Sequence, residues 1–280
     1  MNIKILSDST CDLPRELLEQ HDITLTPLTV IKNDEAFKDG VDIVPADIFA
    51  HVAAGGALCS TSACSVGDYA DMFEKYASAY DAVIQINIGS GFSSSYQNAC
   101  VAAADFDNVY CVDSMNLTVG QGFIVLKAKE LANSGMDAKE IVEQLENFIP
   151  KVESSFLVDK LDYLAKGGRC SSAAALGANL LNLKPCIDVK DNKMTVVKKY
   201  RGSYAKCLAS YVKDRLSDRE DIDRDMLFIP QTQIPEDCLQ AVNEAVDSCG
   251  NFNRIYHAQA GCTVSCHCGP GTLGVIFMKK

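Results

Sequence analysis

Apolar residues occur in two different patterns along the first half of the chain. Runs such as NIKILSD, ITLTPLTVI and DAVIQINI have the composition of buried strands, while the segments between them repeat their apolar residues at helical spacing. One of these helical segments is GQGFIVLKAKELANSG. Strands that alternate with helices predict an α/β fold with a mostly parallel sheet and helices on both faces. Residues 30–56 are polar and rich in turn residues, which predicts a small excursion from that sheet.

The pattern changes in the second half. Pro150 ends a long helical pattern, because proline cannot continue a helix. Two strand-like runs then flank Asn192 as an antiparallel pair, and further strands and helices come after it. We therefore predict two domains, an N-terminal α/β domain over residues 1–150 and a C-terminal α+β domain with a mixed sheet over residues 151–280.

The composition narrows the classes of function. The 280 residues are 48% hydrophobic, which allows a sizeable core, and the formal net charge of -11 opposes binding to nucleic acid or to an anionic membrane surface. No run approaches the ~20 apolar residues of a membrane span, and the N-terminus MNIKILSDST has no leader pattern. We expect a cytoplasmic protein without stable membrane insertion. The 13 cysteines are odd in number and lie mostly in apolar patterns, which predicts reduced thiols.

Two loops of small polar residues carry the candidate chemistry. GSGFSSS, residues 89–95, and CSTSACS, residues 59–65, each lead into a predicted helix. At the carboxyl end of a parallel sheet, such loops offer hydroxyl and backbone N–H donors that suit a carboxylate or a single phosphate group. Neither loop has the lysine of a P-loop, and GQG at residues 120–122 does not complete a dinucleotide fingerprint. From composition alone, the same residues serve equally well as ordinary helix caps.

The order of short motifs along the chain resembles that of the DegV family. The motifs of the first half are SDSTCDLP at 7–14, TSACS at 61–65, GSGFSSSYQ at 89–97 and DSMNLTVGQG at 113–122. Those of the second half are LDYLAKGGRCS at 161–171, LNLKP at 181–185 and HCGPGTLGV at 267–275. Each motif is weak alone, but together they cover essentially the whole chain. The resemblance implies a two-domain fold that carries one long-chain fatty acid between its domains.

The resemblance also assigns residues to that ligand. The family's contacts with the fatty-acid carboxylate fall on Thr61 and Ser93 of this chain. Ser62, Ser94 and His267 fall in the same motifs and are candidates for supporting positions around the head group. The chain departs from the usual family pattern within both loops, without losing either proposed contact.

The resemblance further implies a partner. Several family members serve as the fatty-acid-binding subunit of a bacterial fatty-acid kinase, in which a separate ATP-dependent subunit forms the acyl phosphate. The chain itself would then be a carrier in phospholipid metabolism, with no catalytic residue and no cofactor. Arg169 and Arg201 are candidate docking contacts, although surface charge or an ion pair with Asp162 explains them equally well. The apolar segment Ala173–Leu181 is a candidate wall of the tail pocket or simply a core helix.

A serine hydrolase is the alternative among enzymes. Ser93, Asp113 and His267 have the chain order of that class, and GFSSS is one residue away from the G-x-S-x-G elbow. Ser95 stands where the elbow requires its final glycine, so the motif is incomplete.

A metal site is the second alternative. The segment HAQAGCTVSCHC places five potential ligands close together: His257, Cys262, Cys266, His267 and Cys268. Their spacing does not reproduce the paired Cys-x-x-Cys knuckles of structural zinc. We therefore expect no metal.

Overall fold

The computed structural model describes residues 1–174 and 183–280. Most of the segment Ala173–Leu181, the candidate wall of the tail pocket, lies outside the described residues. The described strands in chain order are β1 (Ile3–Asp8), β2 (Thr24–Thr26), β3 (Thr29–Lys32), β4 (Glu35–Lys38), β5 (Ser60–Ser62), β6 (Ala82–Asn87), β7 (Val109–Asp113), β8 (Val152–Leu157), β9 (Leu183–Lys190), β10 (Lys193–Arg201), β11 (Ile222–Gln231), β12 (Arg254–Gln259) and β13 (Leu273–Lys279). The described helices are α1 (Arg15–Gln20), α2 (Pro45–Ala53), α3 (Val66–Ala77), α4 (Ser95–Ala103), α5 (Val119–Asn133), α6 (Ala138–Phe148), α7 (Asp162–Gly167), α8 (Ser171–Ala174), α9 (Tyr204–Leu216), α10 (Glu236–Ser248) and α11 (Cys262–Cys268).

A parallel sheet in the order β2-β1-β6-β7 forms the centre of the N-terminal half. On one face, Leu6 and Val83 of the strands pack in the same cluster as Tyr69 of α3 and Ala99 of α4. Helices α1, α5 and α6 cover the other face. Successive side chains of a strand point to opposite faces, so strands covered on both sides are apolar throughout. The α/β prediction, with helices on both faces of the sheet, is confirmed.

The predicted strand ITLTPLTVI is divided at Pro27. Before the proline, β2 pairs with β1 in the parallel sheet, whereas β3 after it pairs with β4 and β5 in a small antiparallel sheet. Proline has no N–H to donate, so the hydrogen-bond ladder does not run on through it. The excursion from the parallel sheet therefore extends from β3 to β5, with α2 between β4 and β5.

A mixed sheet in the order β10-β9-β8-β13-β11-β12 forms the second half. Among the strands that the structure describes in this sheet, β11 and β12 run parallel and the other neighbours are antiparallel. The hairpin of β9 and β10 turns at Asp191 and Asn192, whose φ angles are 51° and 58°. Positive φ at both central residues is the signature of a type I′ turn, which Asn and Asp tolerate. The predicted antiparallel pair around Asn192 is confirmed.

Helix α5 lies between the two large sheets. Its residues Val119–Val125 are all buried, and Phe123 packs edge to face against Phe228 of β11 with ring centroids 5.0 Å apart. Ile5 of the parallel sheet and Ile276 of β13 belong to the same apolar cluster. One core therefore joins the two halves, and the domain boundary near residue 150 stays a prediction.

Candidate functional site

One cavity brings together side chains from both halves of the sequence. Thr61 of β5, Ser93 of the loop before α4, His267 of α11 and Arg169 between α7 and α8 all line it. The cavity measures about 500 Å³ with its opening to solvent included. We call it the head cavity. Its remaining lining is mostly apolar and consists of Leu28, Ala63, Ile88, Phe92, Leu117, Met194, Thr263, Val264 and Cys268.

The imidazole of His267 is paired with the hydroxyl of Thr61, at 2.7 Å from Nε2 to Oγ1. Burial, and then the nearby charge of Arg169, lower the pKa of His267 to about 4, so the ring is neutral at pH 7. A neutral ring carries one N–H. When that N–H is on Nε2, it donates to Thr61, and the threonine proton is free to be donated into the cavity.

The other side of the His267 ring fits against Gly167. A Cβ at Gly167 would lie 2.6 Å from Nδ1 of His267, so only glycine leaves room for the imidazole. Nδ1 has no hydrogen-bond partner among the described residues. The ring is thus positioned by packing on one side and by Thr61 on the other.

Ser93 is oriented by its neighbour two residues later. Its Oγ accepts the backbone N–H of Ser95 at 3.2 Å and lies 3.0 Å from the Ser95 hydroxyl. When the Ser95 hydroxyl donates to Ser93 Oγ, the proton of Ser93 is available for a ligand in the head cavity.

A side chain at either glycine of the GSGFSSS loop would clash with Asn192. A Cβ at Gly91 would lie 2.0 Å from the backbone oxygen of Asn192, and a Cβ at Gly89 would lie 2.3 Å from its side-chain oxygen. The amide of Asn192 also donates to Ser90 Oγ at 3.1 Å and to Asp113 Oδ2 at 3.0 Å. The hairpin turn of the second half therefore packs directly on the polar loop of the first half.

Ser62 and Ser94 lie outside the cavity. Both side chains are exposed, and neither residue lines the head cavity. The Ser62 hydroxyl donates to the adjacent carbonyl of Ala63 at 3.4 Å. Neither serine lines the head cavity, so no contact in the described structure supports their predicted role around the head group. Thr61, Ser93 and His267 all line that cavity.

Two buried aspartates hold the helix that carries His267. Asp39 accepts the N–H groups of Cys262 at 2.8 Å and Thr263 at 3.0 Å, one on each carboxylate oxygen. Asp12 accepts the N–H of Gly261 at 2.9 Å. These carboxylates cap the first turn of α11 from outside the helix, where free N–H groups and the helix dipole favour negative charge. Sequence reasoning missed this role, although Asp12 was visible as an acidic residue inside the motif SDSTCDLP.

A second cavity lies next to the head cavity. It measures about 400 Å³ with its opening to solvent included, and it shares the lining residues Leu117, Val264 and Cys268 with the head cavity. We call it the tail cavity. Its other lining residues come from the residue before α5, the mixed sheet and the segments at its edge: Thr118, Ser154, Ser155, Phe156, Val189, Pro230, Gln231, Thr232, Ala260, Thr272, Gly274 and Ile276. Hydroxyl donors at one end and an apolar chamber at the other suit an amphiphile with a small anionic head and a linear tail.

The three candidate hydrolase residues do not form a relay. Asp113 accepts the backbone N–H groups of Ser90 at 3.0 Å and Met115 at 2.9 Å, so its Oδ1 holds the loop. His267 pairs with Thr61 and not with Ser93, and its Nδ1 has no carboxylate partner among the described residues. A serine nucleophile requires a base within hydrogen-bond reach and a group that orients the base. Among the described residues, Ser93 therefore has neither a paired base nor a carboxylate that orients one.

The five candidate metal ligands do not meet at one point in the described structure. The thiol of Cys262 donates to the carbonyl of Ile43 at 3.1 Å, and Cys266 lies in the same apolar cluster. Cys268 lines both cavities, whereas His257 lines a separate surface groove beside α10. Within residues 1–174 and 183–280, no three His, Cys, Asp or Glu side chains are placed to hold one metal ion.

The two candidate docking arginines are both exposed. Arg169 lies at the rim of the head cavity, where Nη1 donates to the carbonyl of Gly167 at 2.8 Å. Arg201 ends the edge strand β10. In the part of the chain that the structure describes, neither arginine makes an ion pair, with Asp162 or any other acid.

Known proteins share this architecture over the whole chain. A DegV domain-containing protein of Clostridium acetobutylicum is 33% identical over 280 residues, which cover 99% of each chain. A DegV family protein from Thermus thermophilus, whose structure is described as showing fatty acid binding, superposes with a TM-score of 0.92 at 29% identity and 100% coverage of both chains. A stearic acid-binding protein from Eubacterium ventriosum superposes with a TM-score of 0.84 at 25% identity, covering 99% of this chain and 98% of the other.

None of the helices that the structure describes is long and apolar enough to cross a bilayer.

The family model described as "Uncharacterised protein, DegV family" matches residues 2–280. This match and the relatives agree with the order of motifs along the chain. The chain therefore belongs to the DegV family.

Proposed function

We propose that the protein binds one long-chain fatty acid, with its carboxylate in the head cavity and its tail in the tail cavity. The observation that carries this proposal is that the two cavities lie side by side and share the lining residues Leu117, Val264 and Cys268. Similar proteins described as fatty acid binding have the same fold over the full chain. The amphiphile that fits this lining has a small head and a long apolar tail.

The carboxylate is held by neutral donors in this proposal. The hydroxyl oxygens of Thr61 and Ser93 each accept a hydrogen bond when their side-chain partners donate, which leaves their own protons for the ligand. Each hydrogen bond to a charged acceptor contributes about 1.5–3 kcal/mol, and each buried methylene about 0.8 kcal/mol. A tail of many methylenes therefore provides most of the affinity, and the hydroxyls fix where the carboxylate lies.

The second part of the proposal concerns the reaction of the bound fatty acid. Arg169 is exposed and lines the head cavity, so the carboxylate end faces solvent beside it. A separate ATP-dependent kinase subunit would dock there, with Arg169 and Arg201 as contacts, and transfer a phosphoryl group to the carboxylate. The carboxylate oxygen attacks the terminal phosphorus of ATP, ADP leaves, and the product is an acyl phosphate. The protein acts as a cytoplasmic carrier in phospholipid metabolism, and the chemistry resides in the partner.

Native mass spectrometry of the purified protein, with subsequent solvent extraction, tests the first part. We expect one fatty acid per chain, released by the solvent and identified by its mass. Protein that is purified empty and then fails to take up added stearate would overturn the proposal. For the second part, the loaded protein is mixed with the kinase subunit and ATP, and acyl phosphate is trapped with hydroxylamine as the hydroxamate.

A further inference from the structure

Thr263 has a buried hydroxyl that the fold leaves unpaired. The residue is 5% exposed, and its Oγ1 has no hydrogen-bond partner among the described residues. Its backbone N–H donates to Asp39 Oδ2 at 3.0 Å, which fixes the residue in the first turn of α11. The fold therefore buries this hydroxyl without giving it a hydrogen-bond partner among the described residues.

The position of Thr263 relates it to the proposed head group. Thr263 lines the head cavity together with Thr61, Ser93 and His267. It precedes His267 by four residues on α11, and residues at that spacing lie on the same face of a helix. The unpaired hydroxyl is thus on the helix face that carries the imidazole paired with Thr61.

We propose that Thr263 donates a third hydrogen bond to the carboxylate of the bound fatty acid. This inference rests on the proposed function and adds a residue that the sequence motifs did not single out. Buried hydroxyls are paired in the large majority of cases, because an unpaired one loses its hydrogen bonds with water without replacement. A carboxylate has about four acceptor sites, so Thr61, Ser93 and Thr263 can donate to it together.

The test compares three variants of the full chain after removal of bound lipid. Thr263→Val removes the hydroxyl at nearly constant shape, and Thr263→Ser restores it. Thr26→Val is the matched control, because Thr26 is 3% exposed, has an equally unpaired Oγ1 and lines neither cavity. Dissociation constants are measured for stearate and for methyl stearate, which has the same tail and no charge.

We expect Thr263→Val to weaken stearate binding about tenfold or more, since a hydrogen bond to a charged acceptor is lost. Binding of methyl stearate should change less than about threefold, because a hydrogen bond to a neutral ester is roughly half as strong. Thr263→Ser should restore stearate binding, and Thr26→Val should leave both constants unchanged.

Two results would overturn the inference alone. One is stearate binding by Thr263→Val at wild-type strength, and the other is an equal loss of stearate and methyl stearate, which indicates a packing defect. Wild-type protein that binds neither compound would instead overturn the proposed function, and this inference with it.

Discussion

Thr61 and His267 lie 206 positions apart in the sequence, yet their side chains meet at 2.7 Å. Thr61 is carried by the short strand β5 of the excursion, and His267 by helix α11 of the second half. Asp39, which comes directly after β4 of the same excursion, caps the start of α11. The excursion therefore supplies one partner of the pair and also positions the helix that carries the other.

Stability should depend on pH through His267. Its pKa is about 4 in the folded protein, against about 6.5 in an unfolded chain. Between these values the unfolded chain binds the proton and the folded chain does not, so the contribution is complete above pH 6.5 and is lost as the pH falls toward 4. The loss from this residue is at most about 3.4 kcal/mol. Urea denaturation at pH 4.5, 5.5 and 7 should therefore show a flatter profile for His267→Gln than for wild type.

His267→Gln keeps an amide that can donate to Thr61, so the variant should fold. Wild-type and variant profiles that run parallel over this pH range would show that His267 is not the group responsible.

Ser93→Ala should impair the orientation of the bound carboxylate more than the retention of the fatty acid. The variant loses one donor to the carboxylate, while the apolar lining of the tail cavity is unchanged. Because the tail provides most of the binding free energy, retention of stearate should fall about tenfold and acyl phosphate formation by the kinase subunit should fall further. Both are measured on the same preparation, by extraction and by hydroxamate trapping.

Ser94→Ala is the control for Ser93→Ala, because Ser94 is adjacent, exposed and outside the head cavity. We expect it to match wild type in both assays. Equal loss of retention and phosphorylation in Ser93→Ala would contradict a special role for Ser93 in orienting the head group.

Gly91→Ala should destabilise the protein. The added Cβ would lie 2.0 Å from the backbone oxygen of Asn192, so the polar loop or the β9–β10 turn must move. We expect a loss of about 1–3 kcal/mol in the free energy of unfolding, measured by urea denaturation. Gly67→Ala is the control, since its Cβ would come no closer than 3.7 Å to Ser65 Oγ. A loss of the same size in both variants would exclude the contact with Asn192 as the cause.

Asp39→Asn should weaken the capping of helix α11. Each carboxylate oxygen of Asp39 accepts an N–H of the helix, and an amide can replace only one of these acceptors. We expect a loss of about 1–3 kcal/mol in the free energy of unfolding and weaker retention of stearate, because α11 lines both cavities. Retention is measured by extraction after dialysis.

Asp34→Asn is the control for Asp39→Asn. Asp34 is exposed in the turn between β3 and β4 at a φ of 63°, a conformation that asparagine tolerates. Unchanged retention in Asp39→Asn would show that the cap does not position the wall of the cavities.

The polar loops show how far sequence reasoning reaches. Motif order identified Thr61 and Ser93, and the structure brings both to one cavity with His267. Thr263 was missed because a threonine between apolar residues has no pattern of its own. Asp39 was missed for another reason: its partners, Cys262 and Thr263, lie more than 220 positions away in the sequence.

The sequence by itself determined the alternation of strands and helices, the turn at Asn192 and the order of the family motifs. These depend on local properties: side-chain periodicity, turn residues that accept positive φ, and short runs of identity. Tertiary structure alone decided that α5 is shared by both sheets, that Thr61 pairs with His267, and that Leu117 lines both the head cavity and the tail cavity. Contacts between residues far apart in sequence depend on how the elements pack, and no local pattern records that packing.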